Sequence, residues 1–128
     1  MKKFVLMLSC LLALASVFGQ ERGARLSFEK TEHNFGDVPH KAKQIECSFD
    51  FTNDGSAPLV ITKIVTSCTC TKADYPKKPV MPGQKGSIRI IYEPGKKDAG
   101  MFYKAVEVYS NSADAKRKTI VIRGKAIE

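Results

Sequence analysis

The chain has 128 residues, with 21 Lys and Arg against 13 Asp and Glu for a formal net charge of +8, four cysteines and no tryptophan. That length suits a single domain. Its cations are scattered beside turn signals, as in Lys41 with Lys43, Lys77 with Lys78, Lys96 with Lys97, and Lys116 to Lys118, rather than gathered into the continuous basic face that nucleic-acid binding requires, so no nucleic-acid partner is expected.

The opening "MKKFVLMLSCLLALASVFGQ" has the parts of a secretory signal peptide over 1–19. Lys2 and Lys3 supply the positive start, Phe4 to Val17 the apolar stretch, and Gly19 a small residue before a cut at Gln20. A membrane anchor needs roughly 18 apolar residues, so no transmembrane span is expected in the mature chain, 20–128. The periplasm is the expected destination, with secretion or a lipid anchor at Cys10 as alternatives. The lipobox is poor, because the apolar run continues past Cys10. Removing the leader leaves Cys47, Cys68 and Cys70, so at most one disulfide can form within the chain.

Past the leader, short alternating runs recur between turn signals. "ARLSFEK" and "HNFGDV" make a first, broken strand region. In "KQIECSFDFTN", Ile45, Cys47, Phe49 and Phe51 share one face, while Glu46, Ser48 and Asp50 share the other, which predicts a core face and a solvent face. Cys47 is therefore expected as a buried, inert thiol. "NDGSAP" is a turn signal, and the β-branched "LVITKIVTS" runs from it into the cysteines. Pro76, Pro79 and Pro82 leave "KADYPKKPVMPGQKG" room for a short edge strand at most. "SIRIIYE", the loop "PGKKDAG", then "MFYKAVEVYSN" and "RKTIVIRGKAIE" complete the chain, with Lys104 on the face of Phe102, Val106 and Val108. About seven strands at this spacing predict an all-β, immunoglobulin-like antiparallel sandwich, with a barrel of the same strands as the alternative.

Most catalytic constellations lack their parts. "GKKDAGMF" has phosphate-loop glycine spacing, but Met101 and Phe102 stand where Lys and Ser or Thr are needed. His33 and His40 belong to no metalloprotease or hydrolase motif and are expected in loops or at strand ends. No two acids stand in a context distinctive of sugar hydrolysis. Tyr75, Tyr92, Tyr103 and Tyr109 are expected as strand and rim residues.

"TSCTCTK" is the unusual stretch. In an extended strand Cys68 and Cys70 point the same way, and a bend at Thr69 would bring them within bridging range. A disulfide so closed could exchange with other thiols. As thiolates the pair could instead hold a soft ion such as Cu(I), whereas zinc would need two further ligands that are not at finger spacing. A bridge from either cysteine to Cys47 is a third possibility. A plain structural role leads these options, since cysteine packs well at a strand end.

Phe49, Phe51, Asn53 and Gly55, followed by Pro58, Leu59 and Ile61, begin a longer pattern. It continues with Ser67, Cys68, Cys70 and Thr71, with Pro79, Pro82, Gly83 and Gly86, with Gly100 and Phe102, and with Ser110 and Asn111. In that order, over nearly all of the mature chain, these residues resemble the bacterial domain of unknown function 1573 family. Thr69 departs from it, standing where the family commonly has Gly, which makes the tightest bend less easy. The resemblance implies an exported immunoglobulin-like sandwich similar to the domains of the major-sperm-protein and cilia-associated type. It implies no activity.

The expected function is a non-catalytic module of the cell envelope, without a cofactor, that binds or scaffolds other envelope proteins. Lys72 to Gln84 and the edges flanking it are the expected contact surface. The alternative is a thiol redox or copper site at Cys68 and Cys70, where Lys63 and Lys72 could favour thiolates.

Overall fold

In the computed structural model, which describes residues 23–94 and 100–127, the period-two alternation becomes eight strands. The leader over 1–19, the Cys10 alternative and most of the "PGKKDAG" loop lie outside the described residues. In chain order the strands are β1 (Leu26–Phe28), β2 (Glu32–Pro39), β3 (Ile45–Asn53), β4 (Ile61–Thr66), β5 (Thr71–Asp74), β6 (Lys85–Tyr92), β7 (Gly100–Ser110) and β8 (Arg117–Ile127). One sheet orders them β1-β3-β6-β5 and the other β2-β8-β7-β4.

The expected sandwich therefore stands, with eight strands rather than about seven and with one parallel pairing, β2 on β8. Both differences come from the first broken region. β1 pairs antiparallel with β3, Leu26 opposite Asn53, and the chain then crosses to the second sheet before β2 begins. A strand arriving from the other sheet need not reverse its neighbour's direction, as a hairpin strand must. In β2 the register shifts between Asn34 and Asp37, and Gly36 takes a φ of +69° there, so this edge is bulged rather than flat.

The inner faces supply the core. Phe49 and Phe51 from β3, Ile88, Ile90 and Tyr92 from β6, Val106 and Val108 from β7, and Ile120 and Ile122 from β8 are fully buried. Each contributes about 1.5–3 kcal/mol by leaving water. Ile45, Cys47 and Cys70 pack half-buried against this cluster. Lys104 is also half-buried.

One end of the sandwich is closed by polar side chains. Asn53 is fully buried. Its Nδ2 donates to the carbonyls of Ala57 and Val80 at 2.8 Å each, and its Oδ1 accepts from Arg25 N–H at 3.2 Å and Gly55 N–H at 3.0 Å. Gly55 is needed because a Cβ there would lie 2.2 Å from the Gly23 carbonyl oxygen. Beside it, Gln84 N–H bonds Met81 O at 3.0 Å to close a four-residue turn. Pro82 occupies its second position and Gly83, at φ +80°, its third, as a type II turn demands. Asn111 ties Val60 N–H and Pro58 O. Ser112 accepts from Leu26 N–H at 2.9 Å, and Lys118 donates to Leu26 O, so the short edge strand β1 has its outward backbone covered.

Candidate functional site

At the opposite end, β4 of the second sheet hands over to β5 of the first through residues 67–70. Thr71 N–H bonds Cys68 O at 3.1 Å, making a tight turn with Thr69 and Cys70 at its centre. No non-glycine among the described residues has a positive φ, so this turn does not need the glycine that Thr69 replaces. The bend brings the Cα atoms of Cys68 and Cys70 to 5.1 Å and their sulfurs to bonding distance. Thr66 Oγ1 donates to Cys68 O at 3.1 Å, Cys70 N–H donates to Cys68 Sγ at 3.1 Å, and Glu93 N–H donates to Cys70 O at 2.9 Å. The corner is thus tied to β4, to itself and to the end of β6.

Cys70 also lines an open cleft of about 680 Å³, together with His40, Lys41, Ala42 and Lys43 from the β2–β3 link, Thr69, and Glu93 with Pro94 after β6. Cys68 is not part of that lining. Of the cations expected near the pair, Lys72 follows on β5 and Lys63 lies over the Tyr109 ring at 4.6 Å; neither lines the cleft. Lys41 and Lys43 do. They are distant in sequence from the cysteines, so no local motif announces them.

Cys47 is the free cysteine among the described residues. It opposes Ile90 on β6, and Ala73 of β5 opposes the same Ile90 from the other side. β6 therefore separates Cys47 from Cys70. Two strand spacings of about 4.8 Å and three residues at about 3.4 Å each put their Cα atoms far beyond the roughly 7 Å limit of a disulfide, so a bridge to Cys47 is not formed. Burial pushes the Cys47 thiol up to about 11, against a smaller downward pull from Lys30. A thiol held protonated is a poor nucleophile.

His33 sits within β2 and His40 just beyond it. Burial, and then the nearby Lys30 charge, lower the His33 pKa; Lys30 Nζ stands 2.8 Å from its Nδ1. Among the described residues no three His, Cys, Asp or Glu side chains converge as a metal-ligand set would. A joined Cys68–Cys70 pair offers no thiolate, so a soft ion would require the reduced form.

The outer faces of the two sheets differ. On the first sheet Arg89 lies 3.8 Å from Glu46 and 3.4 Å from Asp74, and Lys85 lies 4.0 Å from Glu29. On the second sheet Met101 is 86% and Tyr103 66% exposed. They stand opposite Lys125 and Arg123 of β8 in a groove of about 510 Å³ that reaches Glu32 and Asp37 on the bulged edge. Arg123 pairs with Glu32. Alternation about buried Phe102 could have marked Met101 and Tyr103 as outward; from sequence, Tyr103 is expected as a strand and rim residue and Met101 only as part of the strand.

A family model described as "Protein of unknown function (DUF1573)" matches residues 26–126. No curated protein matches the sequence. Among solved structures, the chain is similar to a protein of unknown function from Porphyromonas gingivalis W83, with TM-score 0.72 and 14% identity over 86% of this chain and 50% of that one. It is similar to the ASH/PapD-like domain 7 of human CEP192, with TM-score 0.65 and 10% identity over 88% and 92%. The YadV chaperone superimposes with TM-score 0.56 and 12% identity over 80% and 52%. The chain spans about half the length of the first of these. Identities this low establish the fold alone. No helix among the described residues is long and apolar enough to cross a membrane.

Proposed function

The chain belongs to the DUF1573 family, whose function is unknown, and we propose that it is a non-catalytic module of the cell envelope that holds an extended segment of another protein on the outer face of its second sheet. The carrying observation is the groove across β2, β8 and β7, lined in part by the exposed side chains of Met101 and Tyr103. Large apolar side chains left in water at one place are a common mark of a contact surface. Charge at the rim is largely matched, Arg123 with Glu32 and Lys125 opposite Asp37. That favours an apolar, extended polypeptide over a polyanion. The chaperone similarity is in keeping with this reading. Export is part of the proposal and rests on the leader-like sequence over 1–19.

Surface exposure shifts the expected contact region. The segment from Lys72 to Gln84 includes Val80, which is buried and exchanges backbone hydrogen bonds with Leu59. Only Met81 within it is a large exposed apolar residue.

A photoreactive phenylalanine analogue at Tyr103, compared in living cells with the same analogue at Ser48 on the outer face of the first sheet, tests the reading. A discrete crosslinked species from position 103, absent from position 48 and lost on adding Met101→Lys, is expected. No species from 103, or equal species from both positions, would overturn it.

A further inference from the structure

We infer that Cys68 and Cys70 form an exchange site for the dithiol of another protein, in which the incoming thiolate attacks Sγ of Cys70 and Sγ of Cys68 leaves. This is independent of the groove on the second sheet. One observation supplies the bond to be exchanged and two set the direction of attack. The sulfurs are at bonding distance. Cys70 lines the open cleft and Cys68 does not. The Cys70 N–H points at Cys68 Sγ, 3.1 Å away.

Attack on a disulfide places negative charge on the departing sulfur, and the better-stabilised thiolate leaves faster. A backbone N–H already aimed at Cys68 Sγ favours its charged form. Cys70 Sγ has the Thr71 hydroxyl at the longer distance of 3.8 Å, so the reverse direction is the less assisted one. On the approach side Lys41 and Lys43 are exposed along the cleft, and they raise the local concentration of an anionic thiolate.

The electrons balance over two steps. The partner's first thiolate forms a bond to Cys70 Sγ as the Cys68–Cys70 bond breaks, and the freed Cys68 thiolate takes a proton from water. The partner's second thiol, deprotonated, then attacks its own sulfur in the mixed disulfide. Cys70 is released as a thiolate and is protonated in turn. Two electrons have passed to the pair, which ends as a dithiol, and the partner departs as a disulfide. The corner need not unfold for this. Only Thr69 lies between the two cysteines, and Thr71 N–H, Thr66 Oγ1 and Glu93 N–H still hold the carbonyls of Cys68 and Cys70.

The test uses the mature protein, purified without reductant, and a thioredoxin variant whose second active-site cysteine is serine, so that a mixed disulfide cannot be resolved. A one-to-one adduct is expected, mapped by peptide mass spectrometry to Cys70, with Cys68 open to iodoacetamide and Cys47 alkylated only after denaturation. An adduct on Cys68 or Cys47, or no adduct while circular dichroism shows an intact fold, would overturn the inference. The cleft has its own readout. In Lys41→Gln with Lys43→Gln, reaction with glutathione should slow about threefold at low salt and reaction with cationic cysteamine should not. Equal slowing of both would remove the cleft from the pathway.

Discussion

At the end of the sandwich where β7 hands over to β8, the chain reversals are held by side-chain hydrogen bonds, with all four of the Asn53 amide's bonding positions used. Asn53, Asn111, Ser112 and Lys118 each serve backbone groups from distant segments. At the other end, β4 hands over to β5 through a turn that ordinary backbone bonds already close, and the cysteine pair is laid over it. Most of the residues carrying the family pattern fall at the first end, and several there have a mechanical reason: a saturated amide at Asn53, a glycine without room for a Cβ at Gly55, a type II turn at Pro82 and Gly83. The pair at the second end has much less to hold. A repeated pattern of residues can therefore mix fold requirements with chemistry, and the hydrogen-bond inventory separates the two.

The sharpest way to test that contrast is Asn53→Ala. It removes four side-chain hydrogen bonds and leaves the Val80 carbonyl, a buried acceptor, without its amide donor. The Val80 carbonyl keeps its bond from Leu59 N–H, so the cost is that of the four lost bonds at about 0.5–1.5 kcal/mol net each, and the loss should be roughly 2–4 kcal/mol. Urea denaturation should show a lower midpoint with an unchanged slope. A loss below about 1 kcal/mol would mean that the turns at this end close without the amide.

At the other end, the double variant Cys68→Ser, Cys70→Ser should cost less. Closing so short a ring restricts the unfolded chain by roughly 1.5 kcal/mol in the chain-entropy model, and the turn's backbone bonds remain. The same denaturation measurement compares the two variants directly. If the cysteine variant lost as much as Asn53→Ala, the pair would be the main staple of its end, and the premise that the fold outlives reduction would fail.

The legible parts of this molecule were those set by local pattern. Alternation in "ECSFDFTN" gave the inner face of β3, and both Phe49 and Phe51 are fully buried there; "NDGSAP" falls, as its composition predicts, at the reversal between β3 and β4. Splitting the first region into β1 and β2 was beyond local pattern, since the sheet a strand joins, and hence the parallel pairing of β2 with β8, is decided by distant partners. The site divides in the same way. Cys68 and Cys70 stood out by spacing, but Lys41 and Lys43 reach the cleft only through the return of the β2–β3 link. Asn53 looked like one more turn residue, because nothing in its neighbours reveals a buried amide with four partners.

The smallest expected effect belongs to Asp114 at the first end, and it asks whether the clasp on β1 is partly electrostatic. Burial alone would raise this carboxyl. Its bond from Lys118 Nζ at 2.8 Å, the Ser112 hydroxyl, the Lys118 charge and the Ala115 N–H outweigh that and hold it at about 2, against an ordinary 3.8. A carboxyl lowered in the folded state adds stability that is fully present above the unfolded value and is lost as pH falls through the folded one. The wild type should therefore lose melting temperature between about pH 4 and pH 2 more steeply than Asp114→Asn, and the two should converge near the lower limit. Calorimetry at low ionic strength reads this, and because Asp114 is partly open to solvent the gap at neutral pH should stay below that of the cysteine variant. Parallel curves would mean that Lys118 holds Leu26 O by hydrogen bonding alone, with the carboxylate a bystander.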